Sequence, residues 1–251
     1  MKISIITISF NSEKTIEDTI KSVTTQDYND IEYIIIDGGS RDRTLDIVNS
    51  YKDSISVILS EKDKGISDAF NKGIRLATGD LIGIINSDDI LLPGSVKFLV
   101  NNIDNETDVI YGDIIRWRDE ENIEKVVKAN DNLKVLHHGF SCMYHPSTFI
   151  RKRAYDKHGL YKTNIRYAMD RELLLSMYKE EAIFKRVNYT FVKFRVGGAS
   201  CENYSKTAFE SMNVSVEHGL SIYLAFPKTI FNIFKMYSIT YVKQLQFYFK
   251  K

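Results

Sequence analysis

The stretch Ile82-Gly83-Ile84-Ile85-Asn86-Ser87-Asp88-Asp89 places a short apolar strand directly before a pair of carboxylates. Adjacent Asp side chains repel one another, and a single turn residue would be enough to end a strand. A divalent cation bound together with a diphosphate would remove this repulsion. The alternative is a surface turn ahead of a helix that is predicted to begin near Pro93 and Gly94. The acidic pair alone does not choose between these two interpretations.

Strands and helices alternate on the N-terminal side of this stretch. Residues 2–10 and 31–37 are rich in isoleucine and predict strands, and each is followed by a predicted helix. A short strand at 56–61 precedes a helix at about 66–77, and residues 81–86 form the next strand. Apolar strands separated by helices predict an α/β fold with a mostly parallel sheet, in which ligands bind at the carboxyl ends of the strands. Three carboxylates are expected near that edge: Asp37, Asp68 and Asp88.

Beyond Pro93 the pattern is less regular. It predicts a hairpin turning at 119–122, then two helices and two further strands: 108–117 with 123–128, 152–158, 170–179, 182–187 and 190–196. Gly197 and Gly198 are predicted to end the compact domain. The chain therefore divides into a domain at 1–200 and a helical C-terminal part at 201–251.

The composition is that of one soluble domain with an appendage. The 251 residues are 43% hydrophobic and 27% charged, and the formal charge of +1 argues against general attraction to nucleic acid. Residues 1–11 predict a strand rather than a signal peptide, and no apolar run approaches the ~20 residues of a membrane span. Cys142 and Cys201 are too few for a disulfide scaffold. These features predict a cytoplasmic protein.

The C-terminal tail, residues 219–251, is aromatic and basic. Its charged residues are all lysines, with no Asp or Glu among them. Such a segment can lie on an anionic membrane surface. The alternative is a helical pair packed on the domain or against another subunit of a homo-oligomer, and both interpretations stay open. Pro227 predicts two helices in the tail rather than one.

Four motifs resemble, in order and spacing, those of family 2 glycosyltransferases. They lie at residues 4–11, 34–42, 63–73 and 86–89. Three later stretches are similar to the second half of those enzymes, in particular the colanic acid, O-antigen and exopolysaccharide type: 144–151, 169–175 and 194–200. The resemblance spans roughly residues 1–200. It implies a GT-A fold, in which a nucleotide-binding sheet is flanked by helices, with the tail as a helical appendage.

The resemblance implies a set of residues that contact the nucleotide sugar: Thr7, Ser9, Asn11, Asp37, Asp68, Asn71, Asn86 and Asp88. Asp37 would accept the N–H of a nucleobase such as uracil or guanine, so UDP and GDP sugars are the expected donors. Taken alone, Asp37 is also the turn-forming residue expected before two glycines. Asp68 and Asn71 lie three residues apart on a predicted helix and can face the ribose and donor sugar together.

A bound Mg²⁺ or Mn²⁺ ion is implied at the acidic pair, since carboxylate oxygens suit these cations. Asp88 is the first expected metal ligand, and Asp89 competes with it. Asn86 departs from the family's motif, which usually has Asp at this position. It could hold the ribose or a metal-bound water instead.

Asp170 resembles the family's catalytic base. In an inverting displacement the acceptor hydroxyl loses its proton as it attacks, and a carboxylate within hydrogen-bond reach can accept that proton. The alternative is that Asp170 only caps the helix predicted at 170–179. His145 resembles a residue on the acceptor side of the site. Arg195 could meet an acceptor phosphate or a structural carboxylate.

Taken together, these expectations describe a metal-dependent, inverting glycosyltransferase. It would move a sugar from a nucleotide sugar to a glycan acceptor, one linked to lipid at the inner face of the cytoplasmic membrane, in cell-surface polysaccharide synthesis. Two other functions remain: a nucleotidyltransferase, and a non-catalytic domain that binds nucleotide or glycan. A nucleotidyltransferase usually carries a Gly-rich phosphate loop after its first strand, where this chain has Phe10-Asn11-Ser12-Glu13.

Overall fold

The computed structural model describes residues 1–118, 123–139, 143–196 and 203–248. The strands are β1 (Ile3–Ser9), β2 (Ile31–Asp37), β3 (Val57–Ser60), β4 (Leu81–Ile84), β5 (Ile90–Leu91), β6 (Val109–Arg118), β7 (Ile123–Val127), β8 (Thr148–Arg151) and β9 (Phe184–Arg195). The helices are α1 (Ile16–Thr24), α2 (Thr44–Ser50), α3 (Ile66–Leu76), α4 (Ser95–Asn102), α5 (Lys152–His158), α6 (Met169–Lys179), α7 (Tyr204–Glu217) and α8 (Ile222–Tyr248). Short 3₁₀ helices occupy Lys52–Ser54, Leu133–His138 and His145–Ser147. The predicted α/β fold with a helical appendage is confirmed.

The nine strands of the described residues belong to one sheet, in the order β3-β2-β1-β4-β8-β6-β9-β5, with β7 paired to β6. The first four strands of this order are parallel to one another, whereas β8 runs antiparallel between β4 and β6. The register pairs Ser9 with Asp37 and Asp37 with Ser60. The carboxyl ends of β1, β2 and β3 therefore lie side by side, as predicted for a ligand-binding edge.

Two apolar cores cover the two faces of the sheet. Ile34 and Ile36 belong to one core and Ile35 to the other, because successive strand residues point to opposite faces. Helices α3 and α6 pack in the first core, whereas α1, α2 and α4 pack in the second. Gly73 lets α3 lie close to β1, since a Cβ atom there would come within 2.5 Å of the Ile6 Cγ2 atom.

The second half of the sheet corrects one prediction. Residues 182–187 and 190–196 were expected to form two strands, but 184–195 form the single strand β9, which pairs with β6 in parallel. The pairing changes register between Tyr111 and Ile114. Gly112 accommodates this irregularity, because a Cβ atom there would lie 2.4 Å from the Tyr189 carbonyl oxygen. One strand can thus continue past the change of register.

The hairpin of β6 and β7 is confirmed as an antiparallel pair. Its turn at 119–122 lies outside the described residues, as do Cys142, Cys201, Gly197, Gly198 and the predicted boundary at residue 200. In the tail, Pro227 does not separate two helices, because it lies within the second turn of the continuous helix α8. The break falls instead at Gly219, whose φ of +94° lies in the left-handed region that favours glycine.

A buried carboxylate ties together the starts of the central strands. Glu32 accepts hydrogen bonds from Lys2 Nζ (2.8 Å), Ser4 Oγ (2.6 Å), the Thr78 backbone N–H (2.7 Å) and Thr78 Oγ1 (2.6 Å). Burial raises the pKa of Glu32, but these hydrogen bonds outweigh it and lower the pKa from 4.5 to about 2. The folded chain therefore stabilises the ionised form of Glu32 more than the unfolded chain does.

We expect Glu32→Gln to lower the free energy of unfolding by about 3 kcal/mol at neutral pH. Because the folded-state pKa is depressed, this contribution is complete above the unfolded value of 4.5 and is lost as the pH falls toward 2. Urea unfolding of wild type and variant at about pH 7 and about pH 3 measures the difference. The exposed Glu17→Gln serves as control. An equal loss at both pH values would contradict this account.

Candidate active site

A cleft of about 650 Å³ opens where β1, β2 and β4 end. Five of the residues predicted from the sequence line it: Ser9, Asn86, Asp88, His145 and Asp170. The remaining predicted residues, which are Thr7, Asn11, Asp37, Asp68, Asn71 and Asp89, do not line this cleft. The structure thus brings Asn86 and Asp88 at the end of β4 together with His145 and Asp170 from the second half of the chain.

Asp37 lies beneath the cleft floor and is fully buried. Its carboxylate accepts hydrogen bonds from the backbone N–H groups of Gly39 (3.0 Å) and Ser40 (2.9 Å), and from the hydroxyls of Ser9 (3.2 Å) and Ser60 (2.8 Å). Burial raises the pKa of Asp37, but the hydrogen bond from the Ser40 hydroxyl (2.5 Å), together with these bonds, outweighs burial and lowers it. These are the contacts expected of a turn-forming Asp, and direct contact with a nucleobase stays a prediction.

Thr7 and Asn11 support the same edge from β1. Thr7 is buried and its Oγ1 accepts a hydrogen bond from Tyr33 Oη (3.1 Å). Asn11 has a φ of +50°, which Asn tolerates better than most residues. It links the turns after β1 and β2, because its N–H donates to Ser40 Oγ (2.8 Å) and its Oδ1 accepts from the Arg41 N–H (2.9 Å).

Helix α3 presents an apolar face to the cleft, through Ile66, Ala69 and Phe70. Asp68 and Asn71 were expected there and point elsewhere. Asp68 accepts the Lys64 N–H (3.0 Å) and pairs with Lys72 (3.4 Å). The buried Asn71 amide instead donates to the Tyr161 carbonyl (2.8 Å) and accepts its N–H (3.0 Å). Asn71 therefore connects α3 to Tyr161, whereas the contacts of Asp68 stay within α3 and the turn before it.

The acidic pair points in two directions. Asp88 lines the cleft, and burial raises its pKa while Arg195 partly opposes that effect. Asp89 is fully buried and accepts hydrogen bonds from the Arg195 N–H (3.1 Å) and Asn86 Nδ2 (3.2 Å). Burial, and then the charge of Asp88, raise the pKa of Asp89 well above its usual value. Asp89 therefore holds the turn to the end of β9.

The cleft fits a metal ion that is shared with a substrate. In the described part of the chain, no group of three or more His, Cys, Asp and Glu residues is placed to hold a metal. Mg²⁺ usually binds one or two carboxylates and completes its shell with phosphate oxygens and water. Asp88 can supply such a carboxylate. A cation would also favour its ionised form, which burial disfavours.

Asp170 is the second residue of α6 and lines the cleft, whereas Ala168 occupies the N-cap position. His145 lies nearby, stacked on Phe70 with ring centroids 4.7 Å apart, and its Nε2 is 3.1 Å from Tyr161 Oη. Burial lowers the pKa of His145, although the charge of Asp170 opposes this. A carboxylate and an imidazole kept mainly neutral therefore share one wall of the cleft.

Several cleft residues were not identified from the sequence as site residues. Phe10 is 62% exposed and presents its ring at the mouth, where an aromatic face can stack with a planar base. Phe10 lies inside the motif at residues 4–11, and this position was the sequence signal that could have identified it. Tyr144, Tyr167 and Phe194 line the cleft from distant parts of the chain. Tyr144 and Phe194 begin two of the later motifs, which gave the same kind of signal, whereas Tyr167 lies outside every motif.

Arg195, whose role the sequence left open, lies beside Asp88. Its guanidinium stacks over the Trp117 ring, 4.2 Å from the centroid, and its Nε donates to the Asp88 carbonyl (3.3 Å). The stacking and the hydrogen bond keep a positive charge at the cleft wall. An anionic ligand near Asp88 would meet this charge.

The sheet and its flanking helices match the GT-A fold of solved glycosyltransferase structures. The chain belongs to glycosyl transferase family 2, whose model matches residues 4–175. It is therefore a glycosyltransferase, and the specific colanic acid and O-antigen type is not established by this match.

Relatives agree with this assignment. A PGL/p-HBAD biosynthesis glycosyltransferase of Mycobacterium bovis is 24% identical over 245 residues, covering 90% of this chain and 91% of the relative. TarS of S. aureus is similar in structure, with a TM-score of 0.68 and 20% identity over 86% of this chain, although the match spans only 39% of TarS. A mannosyltransferase of Pyrobaculum calidifontis, solved with GDP-Man and Mn²⁺, has a TM-score of 0.67 and 14% identity, covering 91% of this chain and 69% of that protein.

Proposed function

We propose that this glycosyltransferase moves a sugar from a nucleoside diphosphate sugar to a glycan acceptor, with a divalent metal and with inversion. The observation that carries the proposal is that Asp88 and Asp170 line the same cleft. TarS residues 1–349 were solved with UDP-GlcNAc and the Pyrobaculum calidifontis enzyme with GDP-Man and Mn²⁺. These complexes support UDP or GDP sugars as donors and Mg²⁺ or Mn²⁺ as the cofactor.

Asp88 is the proposed metal ligand, with Asp89 in a supporting position. A bound divalent cation would neutralise charge that builds on the leaving diphosphate, without proton transfer. Asp88 would hold the diphosphate end of the donor through it, and the neighbouring Arg195 would add a second positive charge. Phe10 at the mouth of the cleft would stack with the nucleobase.

Asp170 is the proposed base. A direct inverting attack on the anomeric carbon needs one group that accepts the proton of the acceptor hydroxyl, and it needs no protein nucleophile. The Asp170 carboxylate lines the cleft on the side of His145, which we place on the acceptor side. A non-catalytic domain would not require a carboxylate at this position, and family membership favours glycosyl transfer over nucleotidyl transfer.

The two adjacent carboxylates can be separated by matched substitutions. We expect Asp88→Asn to abolish the Mn²⁺-dependent thermal stabilisation by UDP or GDP, because it removes the carboxylate that lines the cleft. Asp89→Asn should retain this thermal stabilisation, because the amide replaces a buried carboxyl whose raised pKa already favours the neutral form. At about a hundred times its Kd, the nucleotide adds about 2.7 kcal/mol, or roughly 5 to 10 °C in a chain of this size.

Thermal unfolding with UDP, GDP, dTDP and CMP, each with and without Mn²⁺, measures this difference. Asp89→Asn also controls for the replacement of a carboxyl by an amide at the turn. A shift that survives in Asp88→Asn and disappears in Asp89→Asn would reverse the two roles.

We expect Asp170→Asn to lower kcat by a factor of about 10² to 10⁴ while donor binding is retained, since the amide cannot accept the proton. Release of UDP or GDP from UDP-glucose, UDP-GlcNAc and GDP-Man, with water as acceptor, gives an assay that needs no known glycan. Nucleotide-induced thermal stabilisation of the variant reports donor binding. Normal turnover by a folded Asp170→Asn protein would refute the role of Asp170.

We propose a lipid-linked acceptor in cell-surface polysaccharide synthesis of the colanic acid or O-antigen type, and the tail supports the membrane location that such an acceptor needs. Helix α8 exposes aromatic side chains to solvent, with Tyr223 87%, Phe231 64% and Phe234 71% accessible. Within the described residues, no helix has both the length and the apolar character to cross a bilayer. From the exposed aromatic side chains and the lysines of the tail, we propose peripheral binding of α8 to the anionic inner face of the cytoplasmic membrane. Its alternative is a homo-oligomer that buries the same aromatic face.

Vesicle flotation tests the membrane proposal. We expect the full chain to float with vesicles containing anionic phosphatidylglycerol, and much less with neutral phosphatidylcholine, because tail lysines add about 1 kcal/mol each near an anionic surface. Phe231→Ser with Phe234→Ser should abolish flotation, whereas Ile183→Ser, at an exposed apolar residue of the main domain, should not. Dimerisation by the wild type without vesicle binding would favour the homo-oligomer.

A further inference from the structure

Helix α7 reaches back to the segment that carries Asp170. The Glu210 carboxylate accepts hydrogen bonds from three consecutive backbone N–H groups: those of Arg166 (2.9 Å), Tyr167 and Ala168 (2.8 Å). These amides lie just before α6, whose N-cap residue Ala168 has no side-chain oxygen to offer. Backbone N–H groups outside helices and strands need other acceptors, and here one side chain from another helix accepts hydrogen bonds from three of them.

The segment held by Glu210 is part of the cleft wall. Tyr167, Met169 and Asp170 all line the cleft. Tyr167 is one of the residues whose amides Glu210 binds, and Met169 and Asp170 come directly after them. A movement of residues 166–168 would therefore move the proposed base. The Asp170 Oδ1 atom accepts the Arg171 N–H (2.7 Å), so the carboxylate orientation is tied to the backbone of the same turn.

A second contact joins the two helices on the other side of Asp170. The buried Arg171 donates from Nε to the Leu136 carbonyl (2.9 Å), from Nη1 to the Ser211 carbonyl (2.7 Å) and from Nη2 to Ser215 Oγ (2.5 Å). Glu210, Ser211 and Ser215 occupy adjacent turns of α7. The first turn of α6 is thus fixed by α7 both before and after the base.

We propose that Glu210 is a positioning residue for the transfer reaction. It holds residues 166–168 so that the Asp170 carboxylate faces the acceptor hydroxyl. This inference rests on the proposed function of Asp170 as the base. Glu210 lies beyond residues 4–175, which the family model matches, so the C-terminal appendage supplies part of the working geometry of the site.

Steady-state kinetics and hydrogen exchange on the full chain test the proposal. The variants are Glu210→Ala, the milder Glu210→Gln, Asp170→Asn and, as matched control, Glu217→Gln at the exposed end of the same helix. Turnover is measured as UDP or GDP release from UDP-glucose, UDP-GlcNAc and GDP-Man with Mn²⁺. Exchange is measured at the amides of residues 166–170, and the number of nucleotide sites per chain gives the folded fraction.

We expect Glu210→Ala to lower kcat per folded site by between about tenfold and a hundredfold, because small displacements of a reacting group have effects of this size. The donor KM should stay within about twofold, since Asp88 and Phe10 are untouched. Exchange should rise at 166–170, and Glu217→Gln should match the wild type. A purely structural role would lower the folded fraction and leave kcat per folded site unchanged.

Wild-type kcat per folded site in both Glu210 variants would overturn the proposal, and so would unchanged exchange at residues 166–170. If Asp170→Asn is slow while Glu210→Ala is normal, only the positioning role fails. If Asp170→Asn itself turns over normally, the proposed base fails whatever Glu210 does. Exchange needs no turnover, so unchanged exchange at residues 166–170 would overturn the proposal even if none of the three donors is a substrate.

Discussion

The hydrogen bonds of the buried Asp37 carboxylate hold together the edge on which the cleft is built. They join Ser9 at the end of β1, the backbone after β2 and Ser60 at the end of β3. Parallel strands bring these three ends to the same place, and their turns then leave backbone N–H groups without sheet partners. The Asp37 carboxylate accepts hydrogen bonds from two of these groups, the N–H groups of Gly39 and Ser40. The neighbouring residues Gly38 and Ser9 can therefore form a fixed cleft wall.

Much of the fold follows from the sequence because apolar periodicity is a local signal. The strands at 31–37 and the helices at 66–77 and 170–179 lie where the pattern predicts them, within a residue or so at each end. One exception has a local physical cause, because Gly112 lets β9 continue through a change of register. The other goes against the local preference, since α8 continues through Pro227 although a proline beyond the first turn removes a helix hydrogen bond.

The site was less predictable, because side-chain direction within a motif depends on tertiary packing. Asp68 and Asn71 share a helix face, as the spacing predicts, but α3 turns Ala69 and Phe70 toward the cleft instead. The contacts of the Glu210 carboxylate and the Arg195 guanidinium join residues that are 42 and 107 positions apart. Their strength comes from charge-assisted hydrogen bonds, which the sequence does not encode as a periodic pattern.

The repulsion between Asp88 and Asp89 can be removed in two different ways. Two adjacent carboxylates repel each other, and a bound cation is one way to remove the repulsion. The structure contains another: Asp89 is buried with a strongly raised pKa, and its oxygens are hydrogen bonded to the Arg195 N–H and to Asn86. Its neutral form would not repel Asp88. The repulsion alone is therefore no evidence for a metal ion, and the case for one rests on Asp88, which lines the cleft that also contains Asp170.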